Sequence, residues 1–229
     1  MKSELPKVLH PLKGRPLILH VLDSLKGAGV KDLIVIVGYR GEDVIQSLDG
    51  IAAVAWQHQQ LGTGHAVMQA EKQLEGFSGS VIVACGDVPL IKAETFESLI
   101  EASKEQGVKA AVLTMNLDDP TGYGRIVKNE KGDFVKIVEE KDASAREKDI
   151  KEVNTGTYVF DKEFLFKGLA RLDRNNAQGE YYLTDALQYV LSSGFRVKPV
   201  LLADSIEGRG VNSKEELMHL EQHLDEVRG

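Results

Sequence analysis

The stretch SVIVACGDVPLI, residues 80–91, decides the fold. Small and β-branched residues run from Ser80 to Cys85, reach Gly86 and Asp87, and turn at Pro89. A short continuous apolar run closed by Gly, Asp and Pro reads as a strand buried on both faces, as in a parallel sheet. Two further runs upstream have the same character, DLIVIVG (32–38) and AAVAW (52–56). Helical patterns lie between the runs. RPLILHVLDSLKGAG (15–29) carries Pro16 at a helix start, then Leu17, Ile18, Val21, Leu22 and Leu25 along one face, with glycines at the stop. GHAVMQAEKQLE (64–75) and AETFESLIEASKEQG (93–107) read the same way. Strand and helix alternate, so the first half is expected to form right-handed βαβ units in an open α/β sheet.

The second half is mixed. KAAVLTMNL (109–117), RIVKN (125–129), DFVKIVEEK (133–141), VNTGTYVF (153–160) and RVKPVLLA (196–203) read as strands, with a turn at NEKG (129–132). FLFKGLARL (164–172) and TDALQYVLSSG (184–194) read as helices. Ser213 with Glu216 three residues on predicts a capping box opening a last helix. Leu217, Leu220, Leu224 and Val227 form a narrow apolar stripe on it. That helix is either packed on the core or an arm leading elsewhere.

Composition narrows the class. The chain has 229 residues and a net charge of −7, which speaks against a general nucleic-acid binder, since those present a basic face. An anionic small substrate would be held by a few local donors instead of a broad positive field. The one cysteine, Cys85, leaves no internal disulfide framework and fits a reducing, cytoplasmic setting. No apolar stretch approaches the ~20 residues of a membrane span. MKSELPKVLH lacks the apolar region of a secretory signal.

Ligands of open α/β sheets collect at the carboxyl ends of strands. Asp87 is expected at such an end, either as a turn former before Val88-Pro89 or as an oxygen ligand for Mg²⁺. QHQQLGTGHAV (57–67) joins a strand to a helix through Gly-Thr-Gly, which lets backbone approach a ligand. It is neither the dinucleotide glycine pattern nor a P-loop. Lys7 sits between Pro6 and an apolar Val-Leu, so a held backbone would aim its ammonium. DDPTGYGRI (118–126) and NNAQGEYYLTD (175–185) are polar turns of the kind that carry function. Glu139 and Asn154 stand inside strand patterns, where a polar side chain needs a partner such as a sugar hydroxyl. A thiol nucleophile at Cys85 lacks an activating base, and no G-x-S-x-G elbow occurs.

LPKVLHPLKGRPL, LGTGHAV, GDVPLI, DDPTGYGRI, VEEKDA, NTGTYVF, NNAQGEYYLTD and GVN follow one another here in an order that resembles the uridylyltransferase domain of bacterial bifunctional N-acetylglucosamine-1-phosphate uridylyltransferases. The resemblance runs over nearly the whole chain. It implies a Rossmann-like open mixed sheet of the sugar nucleotidyltransferase type. It implies transfer of uridylyl from UTP to N-acetylglucosamine 1-phosphate, giving UDP-N-acetylglucosamine and pyrophosphate, with Mg²⁺ as cofactor, for cell-envelope precursors. By similarity, Lys7 binds phosphate. Gln57, Gly62 and Thr63 hold the nucleotide, and Gly86 approaches the ribose. Asp87 and Asn212 hold the metal, and Gly124, Glu139 and Asn154 bind the amino sugar. Lys7 and Asp87 are the expected catalytic groups.

The resemblance also implies an apolar strand and a loop L-x-x-G-x-G-T-R-M at the start of the domain, with Met1 as the loop's last residue. Residues 1–212 are thus expected to form an N-terminally incomplete nucleotidyltransferase domain, and 213–229 a helical arm. The implied strand is central, and burying four to six apolar side chains at about 1.5–3 kcal/mol each matches the whole net stability of a domain, about 5–15 kcal/mol. Without it the fold is expected to be marginal. The hexapeptide repeats of the family's acetyltransferase half, through which its homotrimers form, are not seen before Gly229, so no acetyl-CoA activity is expected.

Overall fold

The computed structural model describes residues 5–228. The implied loop residue Met1 falls outside them, as does the side chain of Val227 in the last apolar stripe. The chain enters through a 3₁₀ turn, Lys7–Leu9. A two-residue hairpin follows, β1 (Pro11–Leu12) and β2 (Arg15–Pro16). Lys13 (φ 50°) and Gly14 (φ 79°) make its bend, both in the left-handed region that short hairpins require. Pro16 then precedes α1 (Leu17–Gly27), which buries the five apolar residues of its stripe.

Strand β3 (Ile34–Val37), α2 (Gly41–Leu48) and β4 (Ala53–Trp56) form a parallel unit, Ile34 opposite Ala53 and Val37 opposite Trp56. The helix expected over 64–75 is shorter: α3 covers Thr63–Met68, and a separate 3₁₀ turn covers Lys72–Leu74. Then come β5 (Ser80–Val83), α4 (Ala93–Ser103), β6 (Val108–Asn116), β7 (Arg125–Lys128) and β8 (Phe134–Val138). A single turn, α5 (Ala145–Lys148), is capped by the Ser144–Glu147 box. It leads to β9 (Glu152–Asp161), α6 (Lys162–Leu169), α7 (Ala186–Ser192), β10 (Arg196–Leu201) and α8 (Lys214–Arg228). The main sheet runs β10-β6-β9-β7-β8, with β5 also on β9. Only β10–β6 is parallel in it, so the mixed sheet is as expected.

Two expectations fail in the first half. Strand β5 does not join β3 and β4; it pairs antiparallel with β9. Nor are the three apolar runs buried on both faces. Every residue of Val81–Val83 is half-buried, and only alternate residues of β3 are buried. The cause is open sheet edge. Among the described residues β3 pairs only with β4 and β5 only with β9, and both strands line one cavity of about 1440 Å³. Fully apolar strands need neighbours on both sides, and here each has one. The β1–β2 hairpin does not fill the space, because its two strands pair with each other.

α8 begins with the expected box: the Ser213 amide donates to Glu216 Oε2 at 2.8 Å, and the Glu216 amide to Ser213 Oγ at 3.1 Å. Leu217, Leu220 and Leu224 pack with Leu12, Leu17 and Val211. Lys13 Nζ pairs with Asp225 at 2.6 Å. No described helix is long and apolar enough to cross a membrane.

Candidate functional site

The 1440 Å³ cavity continues from the β3–β5 gap to the carboxyl ends of those strands. It exceeds the ~300–1,000 Å³ of an ordinary small-ligand pocket. Nine of the ten residues expected at the site lie on its wall: Lys7, Gln57, Thr63, Gly86, Asp87, Gly124, Glu139, Asn154 and Asn212. They come from seven separate segments of the chain, and the fold brings them to one place.

At one end stands a charge cluster. Asp87 follows β5 and forms an ion pair with the Lys7 ammonium. Lys7 also donates to Asn212 Oδ1 at 2.5 Å. The Lys7 backbone is held as its sequence context suggests, since its carbonyl accepts the His10 amide at 3.3 Å and the Leu9 amide bonds the Pro6 carbonyl beside it at 2.9 Å. Asn212 reaches this spot because the Val211 amide donates to the Asp87 carbonyl at 2.9 Å. A β-carbon on Gly86 would sit 3.2 Å from Val8 Cγ1, so Val8 would have to give by a few tenths of an ångström. Two oxygen donors thus converge on one positive group. Hard oxygen donors suit Mg²⁺, which takes one or two protein oxygens and keeps other positions for water and phosphate. The described residues contain no group of three or more His, Cys, Asp or Glu able to hold a metal by themselves. The donor set therefore fits an ion shared with a phosphate ligand.

The second element is glycine-rich. Gln57 Nε2 donates to the Gly62 carbonyl and lies 3.1 Å from His65 Nδ1, which orients the amide. Gly62 itself is not on the cavity wall. It is where two distant motifs join: the Tyr181 amide donates to the Leu61 carbonyl, the Gly64 amide to the Tyr181 carbonyl, and the Leu183 amide to Thr63 Oγ1. LGTGHAV and NNAQGEYYLTD are thereby one unit. Gly62 has φ 114°, and a β-carbon on it would lie 2.6 Å from the Tyr181 carbonyl oxygen. Gly62→Ala is expected to cost about 1–3 kcal/mol in urea unfolding, since a left-handed strain and a clash coincide. A cost below about 0.5 kcal/mol would mean the junction is loose.

The third element is acidic. Glu139 lies one residue past β8 and not within it. It accepts from Thr184 Oγ1 at 3.4 Å. Burial raises its pKa above the usual carboxylate value; the Thr184 hydroxyl opposes that, and the Asp185, Asp142 and Glu180 carboxylates add to it. Gly124 faces it across β7 and β8; a β-carbon would stand 3.4 Å from both Glu139 oxygens and 2.9 Å from Ile137. Asn154 donates from Nδ2 to the Tyr158 hydroxyl at 2.6 Å, accepts from the Gly156 amide, and donates its own amide to the Gly124 carbonyl at 2.8 Å. Cys85, half-buried, donates to the Gly156 carbonyl at 3.6 Å, and burial pushes its thiol up to about 12, which disfavours the thiolate. Thr184, Tyr123 and Tyr158 also line the cavity and were not legible as site residues. Tyr123 and Thr184 lie in the two polar turns singled out above, but their roles on the wall show only in three dimensions; Tyr158 sits in an ordinary strand pattern.

A family model described as Nucleotidyl transferase matches residues 2–205. This chain belongs to the nucleotidyl transferase family. Among curated relatives, the Bifunctional protein GlmU of Pelotomaculum thermopropionicum is 45% identical over 224 residues, covering 98% of this chain and 49% of that protein. GlmU of Geobacillus thermodenitrificans is 48% identical over 222 residues, 97% of this chain and 48% of that protein. GlmU of Oceanobacillus iheyensis is 46% identical over 222 residues, with shares of 97% and 49%. The chain spans about half the length of the curated relatives it matches.

Proposed function

We propose that this nucleotidyl transferase acts on a sugar phosphate, transferring uridylyl from UTP to N-acetylglucosamine 1-phosphate. A phosphate oxygen of the sugar phosphate bonds to the α-phosphorus of UTP, the bond to the β-phosphate oxygen breaks, and pyrophosphate leaves with UDP-N-acetylglucosamine as product. The observation that carries the reading is the division of one cavity. Lys7, Asp87 and Asn212 make a charged end, and Gly124, Glu139 and Asn154 make an end built for hydroxyl and amide groups.

The chemistry asks mainly for positioning and charge neutralisation, because both reactants are polyanions. Lys7 supplies a positive group for phosphate oxygens. Asp87 and Asn212 would hold Mg²⁺, which when bound neutralises charge on phosphate oxygens. Gln57 and the backbone of the 57–67 segment present donors and acceptors to a flat base. Glu139 accepts from sugar hydroxyls, and ionised it does so about twice as strongly as a neutral acceptor.

The carboxylate role fixes a pH dependence. Since the folded state raises the pKa of Glu139 above 4.5, the protein favours its protonated form, and the charged acceptor forms only as pH rises through that raised value. Affinity for UDP-N-acetylglucosamine is therefore expected to fall on acidification before that of an ordinary glutamate would, and Glu139→Gln is expected to lack that fall. Calorimetric titrations of this ligand into both proteins between pH 4.5 and 8 check this. A profile unchanged in Glu139→Gln would refute the assignment.

The open edges of β3 and β5 favour a second reading for residues 1–229 alone, that they bind the sugar nucleotide and turn it over slowly. Pyrophosphate release from UTP with Mg²⁺ and a panel of sugar 1-phosphates tests both. Preference for N-acetylglucosamine 1-phosphate supports the first reading. Binding of UDP-N-acetylglucosamine with negligible turnover supports the second, and preference for another sugar overturns the choice of acceptor.

A further inference from the structure

Resting on the sugar-nucleotide reading, we propose that Arg125 and Glu140 are positioning residues that set the sugar side of the site from behind the sheet. Arg125 is the largest fully buried side chain and carries a charge. Its Nη2 pairs with Glu140 Oε2 at 2.6 Å, and its Nη1 donates to the Tyr123 carbonyl. Glu140 Oε2 also accepts from the Gly122 amide at 3.3 Å. The ion pair therefore grips both ends of the Gly122–Tyr123 segment. Arg125 Nε, by contrast, is buried without a partner. The guanidinium is placed by what it does to that turn, and its own hydrogen bonding is left incomplete.

Strand geometry explains why such a brace governs the cavity. Neighbouring residues of a strand face opposite sides. Arg125 stands opposite Val138 in the β7–β8 ladder, and the next pair outward is Gly124 with Glu139, whose contact puts both on the cavity side. Arg125 and Glu140 flank that pair from the other face. The path from brace to ligand is short: the turn sets Gly124, and the Gly124 carbonyl takes the Asn154 amide at 2.8 Å. One link does run toward the charged end: the Tyr123 hydroxyl is hydrogen-bonded with the Gly210 backbone. The shorter path, through Gly124 to Asn154, leads to the sugar side, so the brace acts first on sugar recognition.

The test uses two probes, UDP and UDP-N-acetylglucosamine, titrated into wild type, Arg125→Leu, Arg125→Lys and Glu140→Gln, together with hydrogen exchange of the ligand-free proteins. Arg125→Leu is expected to lower the preference for UDP-N-acetylglucosamine over UDP about tenfold, the worth of one hydrogen bond to a charged group, with the Kd for UDP held within about twofold. Glu140→Gln, which keeps an acceptor for the Gly122 amide and folds more readily than a variant lacking the buried cation, is expected to lose part of that preference, and Arg125→Lys to recover part of it. Exchange at the Gly122–Gly124 amides should quicken in step. Equal losses for both ligands, or an unchanged preference, would overturn the proposal. If wild type bound neither probe, the sugar-nucleotide reading would fail by itself, and unchanged exchange at those amides in the variants would then reject the brace separately.

Discussion

Joined to an apolar strand and an L-x-x-G-x-G-T-R loop ahead of Met1, the chain is expected to release pyrophosphate at least ~100-fold faster than residues 1–229 alone. The reasoning starts from the sheet. Ile34–Val37 and Ser80–Val83 are apolar strands, each with one ladder among the described residues, and both line one cavity with α1 residues Ile18, Val21, Leu22 and Leu25. Unpaired strand edges take up another strand, and an apolar lining selects an apolar one. A strand placed there would run its carboxyl end toward Gly86 and Asp87, where backbone amides of a following glycine loop can meet phosphate oxygens. Removing one such donor typically costs ~10²–10³ in rate, and a whole loop holds several. Stability should move with activity. Four to six newly buried side chains at about 1.5–3 kcal/mol each, less the cost of ordering the strand, should raise the melting temperature by ten degrees or more. A chain given the strand with its loop glycines and arginine replaced separates the two effects: it should melt high and turn over slowly. Near-equal rates for the short and long chains would refute the loop's role, and an unchanged melting temperature would refute the filling of the gap.

The second large effect is Asp87→Ala in the lengthened chain, where turnover should drop on the order of 10³-fold and dependence on Mg²⁺ should disappear. Charge neutralisation at phosphate oxygens is worth several kcal/mol, and each 1.36 kcal/mol is tenfold in rate. Asp87 is also the partner of Lys7, so the variant leaves that ammonium held by Asn212 alone. Losing both the metal ligand and the aim of Lys7 should make Asp87→Ala worse than Asn212→Ala. The reverse order would assign the main role to the amide.

Much of this was legible in residues 80–91. The run into Gly86-Asp87 marked a strand tip, and the tip proved to be where Lys7 and Asn212 converge. The α1 stripe and the Ser213–Glu216 box were readable because helix periodicity and capping are local. What escaped was non-local. Continuous apolar runs say that a strand wants neighbours but not which ones, so the antiparallel pairing of β5 with β9 was invisible. α2 was missed because GEDVIQSL offers only three buried positions, Gly41, Val44 and Leu48. Helix α3 ends at Met68 although its apolar spacing continues. Arg125 resembled an ordinary polar strand residue, and nothing in RIVKN announces a buried cation that ties the Gly122–Tyr123 turn just before it. Glu139 and Asn154 stood out because a polar residue in a strand pattern needs a partner, and both lie on the cavity wall, Glu139 one residue beyond its strand.

The most direct test of the central claim, that Asp87 and Asn212 bring a divalent ion to the phosphates, is Mn²⁺ binding followed by electron paramagnetic resonance in residues 1–229 with and without UTP. The account predicts weak binding to the protein alone, tight binding when UTP is present, and loss of that tight binding in Asp87→Ala. Retention of the ternary complex by Asp87→Ala, at the affinity of the unchanged protein, would contradict it.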